Sequence, residues 1–191
     1  MKKIKALLYC CKVKPYIMEY KDGKYKEIAS FYNKQDLIDC ELLNGKIVAE
    51  CDFEVEEHKE TTIDWLCMSL REKIVFGNLC KKANIDELEC YKYANGKPLY
   101  ALHIKNLHIF DKPRELSDFN KIIETTYGEE PDETITRAPQ NMMRCCYEKK
   151  PKEWKTGVLI SIQPQWLCKI LNGEKDIEVR KQVLNCMKGN K

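Results

Sequence analysis

The stretch Gly173–Lys181 sets three chemically capable side chains close together, Lys175, Glu178 and Arg180. Lys175 and Arg180 offer fixed positive charge for a phosphate, Arg180 through a planar fork of donors. Glu178 falls on the same strand face as Arg180, so it can orient the guanidinium or accept a hydrogen bond from a base amino group. Upstream, Trp166 offers a ring for base stacking, worth roughly 1–3 kcal/mol per base in single-strand binders. Each also has a plain structural reading. Trp166 shares a helical stripe with Ile170, the spacing of core packing. Glu178 and Arg180 can form a surface ion pair, typically worth about 0–1 kcal/mol. Taken singly, each of these side chains is better explained by its plain structural reading.

Charge along the chain points the same way. Residues Met1–Thr136 carry 21 basic against 25 acidic side chains, and Arg137–Lys191 carry 12 against 5, so a net −4 is followed by a net +7. That asymmetry is expected of a surface that meets phosphate, and its bland counterpart is a solvated lysine-rich face. The 191 residues, 43% apolar and 33% charged, exclude a disordered chain, a collagen-like repeat and a disulfide miniprotein. A chain of this length buries roughly 70% of its unfolded surface and needs no crosslink to hold a core. We expect one domain over residues 1–191. The eleven cysteines are odd in number, include two adjacent pairs and contain no C-x-x-C. With His103 and His108 isolated, no zinc spacing exists, and neither a metal nor another cofactor is expected. The apolar run Ala6–Cys11 is too short for a signal peptide or a membrane span, so we expect a reducing, cytoplasmic setting with buried thiols and no membrane partner.

The elements that must position the site are mostly strands. In Lys46–Glu56 the apolar Ile47, Ala49, Cys51, Phe53 and Val55 alternate with polar residues, which predicts a half-buried strand. Ala6–Cys11 reads as a strand covered on both faces. Leu99–Phe110 alternates with a switch of parity near Lys105-Asn106, the mark of a bulge. A helix is expected from a cap at Thr61–Asp64 through Ile63, Leu66, Cys67, Leu70 and Ile74, and another from Asn84 to the Asn95-Gly96 turn. Asp22-Gly23 reads as a hairpin turn, Ser117–Ile123 as a short helix and Thr125–Pro139 as a loop. Val158–Ile162 is then a strand, Pro164 opens a helix bearing Trp166, Leu167, Ile170 and Leu171, Gly173 closes it, and Asp176–Lys181 alternates again. In that last strand Ile177 and Val179 are expected inward, and Asp176, Glu178 and Arg180 outward.

Leu159–Trp166 followed by Leu171–Lys181, with Gly173, Lys175, Glu178 and Arg180 in a G-x-K-x-x-E-x-R pattern, resembles the opening of an ASCH domain, a member of the PUA-like superfamily. Lys5–Cys11, Gly45–Glu56, Lys97–Leu116 and Thr136–Glu148 resemble later parts of bacterial and phage ASCH proteins. The opening therefore comes last. A circular permutation accounts for this, with Lys149–Gly157 joining ancestral end to ancestral start, and such rejoining is tolerated where termini lie close at the surface. A fragment of two tandem copies is the competing account.

The resemblance implies an α+β fold, a small, strongly bent PUA-like β-barrel with helices at its rim and a permuted strand order. It also implies binding of RNA or of a modified nucleoside in a cleft lined by Lys175, Glu178, Arg180 and Trp166. Thr136-Arg137-Ala138-Pro139-Gln140 resembles a T-R-P-P-Q segment of phage-type members, which adds Arg137 and Gln140 to the expected binding residues. One branch of the family resembles an acetylcytidine amidohydrolase, and other members are described as ribonucleases. Lys175 and Glu178 are the candidates for catalysis, with Glu178 standing where that branch has a threonine. Glu174, Asp176 and Glu178 surround Lys175 with negative charge, the reverse of what a lysine nucleophile needs. A protein-binding phage or host-defence accessory is the third function class.

Overall fold

The computed structural model describes residues 3–12, 16–29, 41–126, 128–146 and 155–188. In chain order the elements are β1 (Lys3–Cys10), β2 (Tyr16–Lys21), β3 (Lys24–Ala29), β4 (Glu41–Leu42), β5 (Ile47–His58), α1 (Leu70–Ala83), α2 (Glu87–Ala94), β6 (Leu99–Arg114), β7 (Asn120–Thr125), β8 (Gly128–Thr134), β9 (Met142–Cys146), β10 (Thr156–Ile162), α3 (Pro164–Leu171) and β11 (Ile177–Arg180). The class is α+β, as expected. The chain forms two compact units, each assembled from separated stretches: Met1–Ile4, Asp52–Asn106 and Gly173–Lys191 in the first, Lys5–Cys51 and Leu107–Asn172 in the second.

In the first unit β11 pairs antiparallel with β6, Ile177 facing His103 and Arg180 facing Tyr100, and the strand order continues to β5. Asn106 takes a left-handed backbone, φ 50°, at the point where the parity of β6 switches, and its amide holds Asp52 at 2.7 Å. The core joins Phe76, Leu79, Cys80 and Ala83 of α1 to Cys90 and Ala94 of α2, Leu99 and Ala101 of β6, and Ile177 and Val179 of β11.

In the second unit β1 runs parallel to β10, from Ala6 opposite Val158 to Cys10 opposite Ile162, and both strands are buried there. β10 also pairs antiparallel with β9, Thr156 opposite Cys146. Gly157 allows this close approach, because a Cβ would sit 3.0 Å from the carbonyl oxygen of Lys5 and press the two strands apart. The residues flanking the expected joint are therefore neighbouring strands. Residues 149–154 of the joining segment, and Glu148, lie outside the described residues, and the strand starts at Thr156. A second sheet of order β3-β2-β4 contains the Asp22-Gly23 hairpin, with φ of 54° and 76°. Helix α3 packs on β2 and β3, and the Asn172 amide accepts from Tyr25 N–H at 3.2 Å and donates to its carbonyl at 2.8 Å.

Several expectations are corrected. The order β11-β6-β5-β1-β10-β9-β7-β8 does not return on itself, so no closed barrel forms among the described residues. The helix expected from residue 61 begins at Leu70, where Ser69 and Glu72 form a reciprocal capping box, while 60–62 make a single 3-10 turn. Asn84, expected to open α2, instead ends α1 in a left-handed conformation, and Asp86 caps α2. Ser117–Ile123 is not helical beyond the 3-10 turn Leu116–Asp118, since β7 starts at Asn120. The expected loop 125–139 contains β8, whose polar sequence and Pro131 suit a strand at the end of an order. Among the described residues no disulfide forms, and no helix is long and apolar enough to cross a membrane. Burial pushes the Cys145 thiol up to about 12.

Candidate functional site

The site is built where α1 ends. An α-helix leaves its last carbonyls without intrahelical donors and gathers partial negative charge there. Gly173, at φ 73°, turns the chain out of the α3 segment, and the next residues run alongside that helix end. Asn84 donates to the carbonyl of Glu174 at 3.4 Å, and the Asp176 N–H reaches the carbonyl of Lys82 at 3.3 Å. Lys175 sits between these contacts and donates its ammonium to the carbonyl of Ala83 at 2.7 Å, with the residue only 2% exposed.

From that anchor a chain of charge runs along β11. The Nζ of Lys175 is 3.5 Å from Oε2 of Glu178, and Oε1 of Glu178 is 2.9 Å from Nε of Arg180. Two cations thus share one carboxylate, leaving a net positive charge whose exposed end is Arg180, the side chain of which is 16% accessible. The outward orientation expected of Glu178 is corrected: it is 6% exposed, held inward by the two cations that flank it. Lys175 is likewise no part of an open basic face. Its named partners are a carbonyl and a carboxylate, and the nearby negative charge favours the ammonium over a neutral amine nucleophile.

Beside this chain stand residues that the sequence did not single out. Tyr100, opposite Arg180 in the register, donates to Oε1 of Glu57 at 3.3 Å, and desolvation with the Glu57 charge holds its phenol above the ordinary range. The ammonium of Lys188 lies 5.8 Å from the Tyr100 ring centroid, and that of Lys181 lies 4.5 Å from the Tyr93 ring. Alternation flagged Tyr100 only as strand core, and no local signal announces the carbonyl of Ala83. A hydrogen bond between two buried thiols raises Cys80 and lowers Cys90, and the charge of Lys175 adds to the lowering.

The six sequence-derived candidates divide between the units. Lys175, Glu178 and Arg180 are brought into mutual contact in the first. Trp166, Arg137 and Gln140 belong to the second. Trp166 is half-buried on α3 with the Lys169 ammonium 5.1 Å from its ring, and Arg137 and Gln140 are exposed between β8 and β9. The histidines are not all isolated. His58, 5% exposed, places Nδ1 2.5 Å from Glu60 and Nε2 3.7 Å from Glu56, and Glu56 is also 2.9 Å from Nε2 of His103. Glu56, His58 and His103 line a cavity of about 180 Å³ with Lys82 and Asn78, yet among the described residues no cluster fits a metal ion. No protein-family model, curated protein or solved structure matches the chain.

Proposed function

We propose that this chain is a circularly permuted, PUA-like protein of the ASCH type that binds RNA or a modified nucleoside through Arg180 and the basic residues beside it. The single observation behind this reading is the contact chain Lys175–Glu178–Arg180, which fixes one partly accessible guanidinium in the first unit. A guanidinium held by its own carboxylate loses little rotamer freedom on meeting a phosphate, whose oxygens its planar fork matches. Lys181 and Lys188, seated over tyrosine rings, add charge beside aromatic faces, the combination that single-strand binders use. The permutation is supported by the β10–α3–β11 unit standing where the resemblance puts it, and by β9 and β10 pairing across the joint.

The test is a salt titration of binding to single-stranded RNA. Affinity is expected to fall steeply as salt rises. Arg180→Ala is expected to lose about tenfold, the value of one charge-assisted contact. Equal affinity of wild type and Arg180→Ala, with the fold verified by circular dichroism, overturns the reading. Acetylcytidine hydrolysis is expected to be absent, because Lys175 is buried against the Ala83 carbonyl and Glu178 and does not face a substrate.

A further inference from the structure

Apolar exposure in this molecule is concentrated. Of the nine large hydrophobic side chains exposed among the described residues, six fall between residues 66 and 93, and the most exposed are Leu66 at 86%, Leu70 at 76%, Leu88 at 59% and Ile74 at 54%. Patches of this kind mark interaction surfaces. Helix α1 turns Phe76, Leu79, Cys80 and Ala83 into its own core, and Leu70, Ile74, Gly77 and Lys81 follow one another along the opposite side.

That outer stripe carries a projection and a recess. Leu70 and Ile74 project. Beyond them an open groove of about 440 Å³ is lined by Ile74, Gly77, Asn78, Lys81 and, from α2, Glu87, with Lys73 on its rim. Gly77 is not left-handed, and a Cβ there would come within 2.9 Å of the Glu87 carboxylate, the end of a flexible side chain that lies against it. A glycine inside a helix costs about 1 kcal/mol relative to alanine. What the missing side chain leaves is a low floor beside the Glu87 carboxylate, which swings aside for another side chain to enter. Projection and recess lie seven residues apart, about 10 Å along the axis. Charge is also placed along it, with Lys73 beside the projection and Glu87, together with Lys81, in the wall of the recess.

We infer that this face binds a second copy of the same chain, two α1 helices packing antiparallel about a two-fold axis. An isologous contact needs one surface to carry both halves of the fit, and this one does. Leu70 of each copy enters the recess over Gly77 of the other, the Ile74 side chains meet near the axis, and Lys73 of each turns from the Trp65 ring, now 5.6 Å away, toward Glu87 of the other. The inference is independent of the RNA reading, since none of these residues belongs to the Arg180 cluster.

Sedimentation equilibrium of the full chain across a wide concentration range tests it. The expected result is a monomer–dimer equilibrium weakened at least tenfold by Leu70→Asp and by Gly77→Leu, which fills the recess. Lys73→Glu is expected to weaken it and Lys73→Glu with Glu87→Lys to restore it. Leu66→Ser, outside the helix and so harmless to its folding, guards against a misfolded variant and is expected to weaken the dimer less. A monomer at every concentration overturns the inference. So does a dimer indifferent to Leu70→Asp and Leu66→Ser, or a charge swap that fails to restore association in a folded protein.

Discussion

Helices α1 and α3 carry the same kind of sequence signal and use it in opposite ways. In α3 the stripe of Leu167, Ile170 and Leu171 is buried as periodicity predicts, with Trp166 half-buried at its border. In α1 Leu70 and Ile74 stay exposed, as does Leu66 ahead of the helix, and Phe76, Leu79, Cys80 and Ala83 take the interior. The contrast lies in the number of apolar faces offered. α3 has one, so burial has no alternative. α1 has two, and the one with Phe76 and Leu79 wins because it packs against α2, β6 and β11, whereas the other meets only solvent within the monomer.

The largest expected effect tests that choice directly. Phe76 is fully buried, and Phe76→Ala is expected to cost about 3–5 kcal/mol from lost transfer energy and the cavity left behind. Leu66→Ala, in dilute solution where association is absent, is expected to change stability by no more than about 0.5 kcal/mol. Urea denaturation of the two variants beside wild type makes the comparison. A Leu66→Ala cost above that of Phe76→Ala reverses the assignment of faces.

An intermediate effect probes the region where periodicity succeeded. Strand β10 leads into α3 and lies against β1 at Gly157, whose missing Cβ is replaced at 3.0 Å by backbone of Lys5 that cannot swing aside. Gly157→Ala is expected to cost about 1–3 kcal/mol, the usual penalty of overpacking. A variant with wild-type stability means that β1 and β10 are not in the contact described.

What was legible follows from the range over which each determinant acts. β5, β6, β10, α3 and β11 are coded by alternation or helical spacing inside their own residues, and they fall where expected to within a few positions. β8 was hidden because Gly128–Thr134 has almost no apolar content: an edge strand needs a partner, here β7, more than it needs a hydrophobic face. Among the site residues the G-x-K-x-x-E-x-R spacing found Lys175, Glu178 and Arg180, but not the burial of the first two. That burial depends on a carbonyl 92 positions away in the chain, at the end of a helix whose own start was misplaced. Charged residues are buried only when a distant segment supplies the compensating group, and no local pattern records which segment does so.

The smallest effect concerns that helix start. Residues Thr61–Asp64 and Ser69–Glu72 both offer cap chemistry, and α1 uses the second. The Ser69 hydroxyl accepts from the Glu72 N–H at 3.3 Å while the Glu72 carboxylate accepts from the Ser69 hydroxyl and N–H, each at 2.7 Å. Hydrogen bonds from the Ser69 side chain and then its backbone hold Glu72 below the usual carboxylate range. A carboxyl lowered on folding stabilises the native state above its unfolded pKa, and that contribution fades as pH falls through the folded value. Ser69→Ala is therefore expected to destabilise by about 0.5–2 kcal/mol at neutral pH, the ordinary range for an N-cap. The deficit should shrink in acid, once Glu72 is protonated in wild type and variant alike. Thr62→Ala, whose hydroxyl only donates to the Lys59 carbonyl at 2.8 Å, is expected to cost less and to show no such pH dependence. Denaturation curves at neutral and acid pH decide between the two starts: a Thr62→Ala deficit larger than that of Ser69→Ala, or a Ser69→Ala deficit unchanged in acid, removes the capping box as the device that sets where α1 begins and hence which of its faces is turned inward.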